Sequence, residues 1–459
     1  MYHLNFNKPC NVFFCGIGGI SMSGLAAVLL DASFKVSGSD RASSPLTESL
    51  SRKGAHIFIG QHEHNVTRDI DVFVYTAAIH DDHPEMVRAR ELQIPLMTRA
   101  ELLGQMMRNY KLPVAISGTH GKTTVTSMIS EILIKADLDP TLSIGGILPS
   151  IGGNIRIGHS DVFVTEACEY TNSFLSFFPK ASIILNIEED HLDFFKDIND
   201  IRNSFHRFAS LSPKDGIVII NGDIDRREEI VEGISSSVIT FGKDSSSDYY
   251  PTDIVYSKEG ITYFTVNSPD REPQKFTLRV PGEHNVLNAL AAIAMADYIK
   301  VDRIAVKASL AEFNGTERRF EHKGEFGGVT VIDDYAHHPS EIRATLAAAV
   351  NYPHKKLWCV FQPHTYSRTK AFMDDFARAL SKADAVVLAD IYAAREKDNM
   401  GVSSEILCEK IKELGTECYY FPSFTKIEEF VKKTCAPGDL LITMGAGDIV
   451  NVGEDLIQK

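Results

Sequence analysis

The sequence predicts an α/β protein of three successive domains. They are a Rossmann-like one over residues 1–110, a central P-loop ATPase-like one over 111–320 and a second Rossmann-like one over 321–459. Three observations carry that expectation. Short apolar runs of strand length alternate with segments of helical period along the chain, the order that builds parallel sheets covered by helices. Two of the runs end in glycine loops of phosphate-binding type, GIGGISMSG at 16–24 and GTHGKT at 118–123. The runs of the last third end in His, Asp, Tyr, Arg or Gly, which core packing does not require and a ligand cleft does.

Composition narrows the class. A chain of 459 residues, 44% hydrophobic and 24% charged, has the make-up of a soluble globular protein with several cores. A formal net charge of −14 argues against a nucleic-acid partner, whose footprint is basic. It does not exclude an anionic small molecule, for which a local cluster of Lys, Arg, Mg²⁺ and helix N-termini suffices. The seven cysteines are scattered, without a Cys-x-x-Cys pair, so reduced thiols in a cytoplasmic protein are expected. The opening MYHLNFNKPCNVFFCG lacks a basic leader and an apolar core, and no apolar run reaches membrane-spanning length, so no membrane insertion is expected.

In the first domain, Asn11–Cys15 reads as a strand, followed by the glycine loop, the helix-like Leu25–Leu30 and a second strand, Lys35–Ser39, ending at Asp40. This is half a Rossmann unit, and its glycine spacing fits the diphosphate of any nucleotide against a helix N-terminus. Asp40 either holds a sugar hydroxyl or caps a turn. Further strands fit His56–Ile59 and Val72–Tyr75, with Thr76-Ala77-Ala78 at the carboxyl end where open parallel sheets place ligands. Arg99–Met107 reads as a short helix. His62, His64, His80 and His83 lie in polar segments without regular ligand spacing, and read as solvated histidines rather than a metal cluster.

The central domain opens with the strand Leu112–Ile116, the turn Ser117–Gly121 and a helix marked by Val125, Met128, Ile129, Ile132 and Leu133. Gly118 and Gly121 let the turn aim its N–H groups at one point. Lys122 can reach phosphate oxygens and the Thr123 hydroxyl can ligate Mg²⁺. The motif is shorter than the general P-loop, whose first glycine position is Ile116 here. Thr141–Gly153, rich in glycine, reads as a substrate-facing loop.

The strand Val162–Ala167 presents Glu166, with Glu169 close behind, and Ala181–Ile187 runs into Glu188-Glu189-Asp190-His191-Leu192-Asp193. Thr123, Glu166 and His191 thus form a candidate Mg²⁺ shell, in which histidine is the less usual ligand. A solvated acidic turn is the competing reading of Glu188–Asp193. Ile217–Asn221 is a further strand. Short alternating runs from Ile239 to Val280, clearest at Ile261–Val266 and Lys275–Val280, read as an antiparallel edge to the central sheet. Asn285 and Asn288, at the start of the helix Val286–Ile299, present amides to a base or cap the helix. After a helix over Ala305–Phe313, Arg318 and Arg319 meet either phosphates or solvent.

The last domain repeats the strand–helix unit. Val329–Asp333 ends in Asp334-Tyr335-Ala336-His337-His338-Pro339, and Leu357–Phe361 in Gln362-Pro363-His364-Thr365-Tyr366-Ser367-Arg368. One helix is expected over Ala371–Leu380. Ala385–Ala389 ends in Asp390-Ile391-Tyr392-Ala393-Ala394-Arg395-Glu396, and Asp439–Thr443 in the loop MGAGD.

Nine segments in order resemble the motifs of the ATP-dependent Mur ligases of peptidoglycan precursor synthesis, and the resemblance covers almost the whole chain. They are GIGGISMSG, GTHGKTT, EACEYTNSF, NIEEDHLD, GEHNVLNALAA, GTERRFE, DDYAHHPSEI, FQPHTYSRT and MGAGD. The resemblance implies the three-domain Mur ligase architecture, with a UDP-sugar on the first domain, ATP on the second and a mobile third domain that brings the amino acid. By likeness, Gly18, Gly19 and Ser21, with Asp40 and Thr76, would lie along UDP-N-acetylmuramate. The loop Gly118-Thr119-His120-Gly121-Lys122-Thr123-Thr124 would meet ATP, and Glu166 and His191 would hold Mg²⁺. Asn285 and Asn288 would lie near adenine. Arg319, Asp334, Tyr335, His337, His338 and Arg368 would complete the nucleotide and amino-acid side.

The implied chemistry transfers the γ-phosphoryl of ATP to the muramoyl carboxylate, and the amine of L-alanine then displaces phosphate from the acyl phosphate. His337 or His338 is the candidate for orienting or deprotonating that amine. Sister ligases that add later amino acids carry a carbamylated lysine where residues 202–207 here have none. This favours the alanine-adding branch or the murein peptide ligases, which add a recycled tripeptide. Thr365 stands where many members have arginine, leaving Arg368 for any phosphate contact from that loop. A monomer or weak homodimer is expected. An NAD-dependent oxidoreductase, resting on the first glycine loop, and a non-enzymatic nucleotide-regulated binding module are the rival classes.

Overall fold

Five short runs, β1 (Asn11–Cys15), β2 (Lys35–Asp40), β3 (His56–Ile59), β4 (Val72–Tyr75) and β5 (Leu96–Thr98), form an all-parallel sheet in the order β3-β2-β1-β4-β5. Val12, Phe13, Phe14 and Cys15 are all buried, as a strand covered on both faces requires. The computed structural model describes residues 2–76, 78–257, 260–394 and 396–458. The expectations for Ala77 and Arg395 lie outside the described residues.

The central sheet contains β6 (Leu112–Ser117), β7 (Thr141–Leu148), β8 (Gly153–Arg156), β9 (Val162–Glu166), β10 (Ala181–Ile184), β11 (Ile217–Asn221) and β12 (Ser237–Phe241). Their order is β12-β11-β10-β6-β9-β7-β8, with β6 paired in parallel to both β10 and β9. The segment expected as a substrate-facing loop, Thr141–Gly153, is therefore mostly strand. Leu142, Ile144 and Leu148 are buried, and that alternation holds β7 in the sheet despite its two glycines.

The runs between Ile239 and Val280 also differ from expectation. Only β12 joins the central sheet. β13 (Tyr250–Tyr256), β14 (Thr262–Ser268) and β15 (Arg271–Leu278) form an antiparallel sheet of their own. Phe264, Val266, Phe276 and Leu278 bury one face, and the Arg303 and Lys307 side chains lie over the Phe276 ring. A sheet with one apolar face needs only one covering layer, so these strands need no larger sheet to join.

β16 (Glu321–Phe326), β17 (Val329–Asp334), β18 (Leu357–Phe361), β19 (Ala385–Leu388), β20 (Glu417–Tyr420) and β21 (Leu440–Met444) make the last sheet, ordered β16-β17-β21-β18-β19-β20. Only β16 runs antiparallel to its neighbour. The period of two along β18 divides its side chains between two cores, Cys359 and Phe361 in one, Trp358 and Val360 in the other. The single helix expected over Ala371–Leu380 is two, Tyr366–Ala371 and Met373–Leu380. They part at Phe372, whose backbone leaves helical geometry while its ring packs edge-on against His338.

Packing divides the chain into two units. One contains Met1–Thr126, Ala136–Ile187 and Asn199–Ile239; the other contains Ser127–Lys135, Glu188–Ile198 and Thr240–Lys459. No helix among the described residues is long and apolar enough to cross a membrane.

Inside the first unit, helices of the Rossmann sheet press against segments of the central sheet. A methyl group at Gly24 would stand 2.1 Å from Ile155 Cγ1, and one at Gly104 would stand 1.9 Å from the Ser176 carbonyl oxygen. The second approach is to backbone, which cannot rotate away. Gly104→Ala is therefore expected to lower stability by about 1–3 kcal/mol in urea denaturation, with the transition followed by far-UV circular dichroism.

Candidate active site

At the carboxyl end of β1, the amides of Gly16 and Ile17 donate to the Ser39 carbonyl, and Gly16 takes a φ of +83°. The Gly18 amide donates to Asp40 Oδ2 at 2.8 Å, and a methyl group at Gly18 would meet the same oxygen at 2.8 Å. Asp40 thus caps the glycine turn. Ser21 Oγ accepts from Arg99 Nη1 at 3.2 Å, which brings a half-buried guanidinium to the glycine loop; burial lowers the pKa of Arg99. Sequence reasoning marks Arg99 only as a helix start. Its one legible signal is a cation just after a strand end. Thr76 Oγ1, half-buried, accepts from the Ala78 amide.

His62, His64 and His80 are exposed as expected, but His83 is not a solvated histidine. It is half-buried, with Nδ1 3.9 Å from Cys15 Sγ, and Cys15, His83 and Glu85 bring ligand-capable atoms within 4.8 Å of one another. Hydrogen bonding accounts for the cluster: the fully buried Glu85 carboxylate accepts from Cys15 Sγ, Ser39 Oγ and Asn65 Nδ2.

The phosphate-type loop joins β6 to the helix Lys122–Lys135, and Gly118 and Gly121 take φ values of +146° and +82°. Asn186, just past β10, clamps it. Its Oδ1 accepts from the His120 amide at 2.7 Å, its Nδ2 donates to the His120 carbonyl at 3.1 Å, and its own carbonyl accepts from the Thr119 amide. Lys122 Nζ donates to the carbonyls of Gly118 and Thr119 and to both oxygens of Glu169, the nearer at 3.0 Å. Burial alone would lower the pKa of Lys122, but the Glu169 carboxylate outweighs it and the net shift is upward, so the lysine is charged.

Glu166 stands at the end of β9, beside the loop. Its Oε2 accepts from Thr123 Oγ1 at 3.2 Å and its Oε1 from the Gly145 amide at 2.5 Å. A methyl group at Gly145 would meet Oε2 at 2.5 Å, so the glycine inside β7 is what lets this carboxylate sit there. Two adjacent oxygen ligands of an octahedral Mg²⁺ lie about 3 Å apart, so the Thr123 and Glu166 oxygens fit that ion in both chemistry and spacing.

The remaining candidates belong to the second unit. His191 takes a φ of +54° and its amide donates to Asp190 Oδ1 at 2.8 Å. Asp190 also accepts from Nε and Nη2 of Arg368, and the pair is nearly enclosed, at 9% and 11% side-chain exposure. Burial would raise the Asp190 pKa, but the Arg368 charge, assisted by His191 and His338, holds it well below the usual carboxylate range.

Asp334 accepts from the amides of Phe320 and Ala336, yet burial, opposed by Arg319, pushes its pKa up to about 6. The guanidinium groups of Arg318 and Arg319 lie 4.9 and 5.1 Å from the Tyr335 ring centre. Arg318 has a structural task, donating to Asp333 and to the carbonyls of Gly445 and Gly447. The Asn288 amide donates to Asn285, and the Asn285 amide to the Pro281 carbonyl, so both asparagines are oriented by a buried chain.

The two histidines of the Asp334–Pro339 segment differ. His338 has both ring nitrogens engaged, Nδ1 with Ser340 Oγ at 2.8 Å and Nε2, as donor, with the Glu189 carbonyl at 3.0 Å. His337 directs Nδ1 at the Tyr335 carbonyl, 3.1 Å away, and burial lowers its pKa to about 4. Burial does the same for His364 and His284.

A glycine-turn strand–helix site with a charged lysine and a hard-oxygen pair, at parallel strands of a mixed sheet flanked in sequence by two more α/β sheets, defines a nucleotide-dependent α/β enzyme. Family models cover nearly the whole chain: Mur ligase family, catalytic domain, at residues 11–111; Mur ligase middle domain at 116–296; and Mur ligase, glutamate ligase domain, at 318–447. Full-length relatives include the UDP-N-acetylmuramate–L-alanine ligases of Agathobacter rectalis, 56% identical, and Lachnospira eligens, 58% identical, each aligned over 100% of both chains. Among solved structures, the UDP-N-acetylmuramate-alanine ligase of Thermotoga maritima matches with a TM-score of 0.80 at 30% identity, covering 98% of each chain. The chain belongs to the Mur ligase family.

The shifted groups of the second unit set a pH dependence. His284, His337 and His364 have folded pKa values of about 4 against an ordinary 6.5, so their stabilising contribution is present above 6.5 and lost as pH falls toward 4. Asp334, raised to about 6 from 3.8, works in the opposite sense, its contribution falling as pH rises from 3.8 toward 6. Burial raises Asp333 and Glu317 as well, and they act with Asp334. The three histidines carry the balance at pH 5, so unfolding in urea at that pH is expected to take up protons, read with an indicator dye in weakly buffered solution.

Proposed function

We propose that this protein joins L-alanine to the carboxylate of UDP-N-acetylmuramate at the expense of ATP, through an acyl phosphate, in peptidoglycan precursor synthesis. The observation that carries the reading is full-length likeness, at 56% and 58% identity, to two ligases of that name. The phosphate loop agrees with it. Gly118–Thr124 receives the ATP phosphates, and the Lys122 charge neutralises the oxygens between donor and acceptor. Mg²⁺, where bound by Thr123 and Glu166, supplies further positive charge to the transferring phosphoryl group. His191 is a further candidate cation ligand on the strength of its motif.

Gly18, Gly19, Ser21 and Thr76 line the UDP-sugar, with Asp40 holding the glycine turn in shape. Asn285 and Asn288 face the base, and Arg319, Asp334 and Tyr335 the nucleotide and amino-acid side. Arg368 takes the carboxylate of the amino acid. His337, neutral at pH 7, orients the amine through Nε2, because its Nδ1 is directed at the Tyr335 carbonyl. His338 serves by position instead.

Phosphate release is the direct test, with Mg²⁺ and UDP-N-acetylmuramate present and L-alanine, L-serine, glycine and the L-Ala-γ-D-Glu-meso-diaminopimelate tripeptide compared. L-Alanine is expected to give the fastest release and an alanyl amide by mass analysis. Release with the tripeptide alone assigns the chain to peptide recycling, and no amide with any amine overturns the ligase reading. In the same assay Lys122→Ala is expected to lower kcat by about a hundredfold or more.

A further inference from the structure

Asp190 is a short side chain with an unusual load. Its Oδ1 receives three donors: the His191 amide at 2.8 Å, Arg368 Nη2 at 2.9 Å and Arg368 Nε at 3.3 Å. Only 7% of the residue is exposed. His191 sits in the left-handed region, at φ +54°, where a residue with a β-carbon is uncommon unless its surroundings hold it there. The Asp190 carboxylate holds it by its own next amide. Arg368 is fixed as firmly: its Nη1 lies 3.2 Å from His364 Nδ1, and its short helix begins after Thr365, another left-handed residue, at φ +67°. One residue before Asp190, the Glu189 carbonyl accepts from His338.

A buried guanidinium and a buried carboxylate are individually expensive and tolerable as a hydrogen-bonded pair, so neither can be relocated without the other. The same carboxylate that aims Arg368 also sets the backbone from which the His191 ring projects. We propose that Asp190 is a positioning residue of the ligase reaction, fixing His191 on the cation side and Arg368 on the amino-acid side through one carboxylate. The inference rests on the ligase reading for the roles of those two residues, and adds Asp190 as the group that makes their placements interdependent.

The test is a double-mutant cycle of Asp190→Asn, Arg368→Gln and the pair, with steady-state kinetics in each substrate and Mn²⁺ titration by electron paramagnetic resonance with ADP present. Thermal unfolding and near-UV circular dichroism check that each variant is folded. Asp190→Asn is expected to lower kcat about tenfold or more and to weaken Mn²⁺ binding by a similar factor, with KM for ATP within about twofold. The double variant should be faster than the product of the two single losses predicts, because with Arg368 already replaced Asp190→Asn has only the His191 side left to lose. Asp190→Glu, which keeps the charge, should recover part of kcat.

Wild-type kcat and Mn²⁺ affinity in Asp190→Asn would overturn the proposal, as would strictly additive losses in the cycle. A wild-type chain that turns over no amine would instead sink the ligase reading. The Mn²⁺ titration needs no turnover, so unchanged binding in Asp190→Asn would still count against Asp190 and weakened binding still support it.

Discussion

Parallel pairing sends the carboxyl ends of adjacent strands to one edge of a sheet. In this protein β9, β6 and β10 are such neighbours, and Glu166, the Gly118–Gly121 turn and Asn186 arrive together as a result. Val114, Ala115 and Ile116 of β6 are enclosed, so the strand is packed on both faces. What the pairing delivers is then refined over short distances. Asn186 pins the turn through both of its amide groups, and the Gly145 amide turns Glu166 toward Thr123. The chemistry of the loop is therefore a product of sheet order, with the glycines supplying only the freedom to use it.

The second unit holds several enclosed charge pairs. Arg303 with Asp297, Arg318 with Asp333 and Arg368 with Asp190 are buried or nearly buried pairs, each with further hydrogen bonds. Such pairs add little net stability over apolar packing, but removing one member leaves an uncompensated charge in a poorly solvated place. Their value lies in direction. Arg318 donates to the Gly445 and Gly447 carbonyls while its guanidinium and that of Arg319 both lie against the Tyr335 ring.

Much of this is legible from the sequence. Strands such as β1, β6, β10 and β18 are unbroken apolar runs because helices cover both faces, and their ends can be read from the glycines and charged residues that follow. The family likeness rests on those same ends. The misreadings have a common origin. Glycine in Thr141–Gly153 suggests a loop where buried Leu142 and Ile144 sustain a strand, and a period of two in β13–β15 does not say which sheet the strands enter.

The supporting residues are harder still. Glu169 meets Lys122 across 47 positions, Asn186 meets His120 across 66 and Arg368 meets Asp190 across 178. No local pattern encodes such partners, and Arg99 beside Ser21 is a further case, 78 positions apart. Motifs announce the groups that face ligands, while the groups that hold them are specified by topology.

The chain looks modular, since three family models tile it one after another. The closeness of Gly24 to Ile155 and of Gly104 to the Ser176 carbonyl limits that modularity. At both places the first domain meets the central one with no room for a single carbon atom. A recombinant whose first domain carried alanine or serine at either position could not seat on this central domain without a shift of backbone or side chain. Shuffling within the family is thus constrained to exchange the first domain together with the surface it rests on, so the inherited block here extends past the domain boundary into the central sheet.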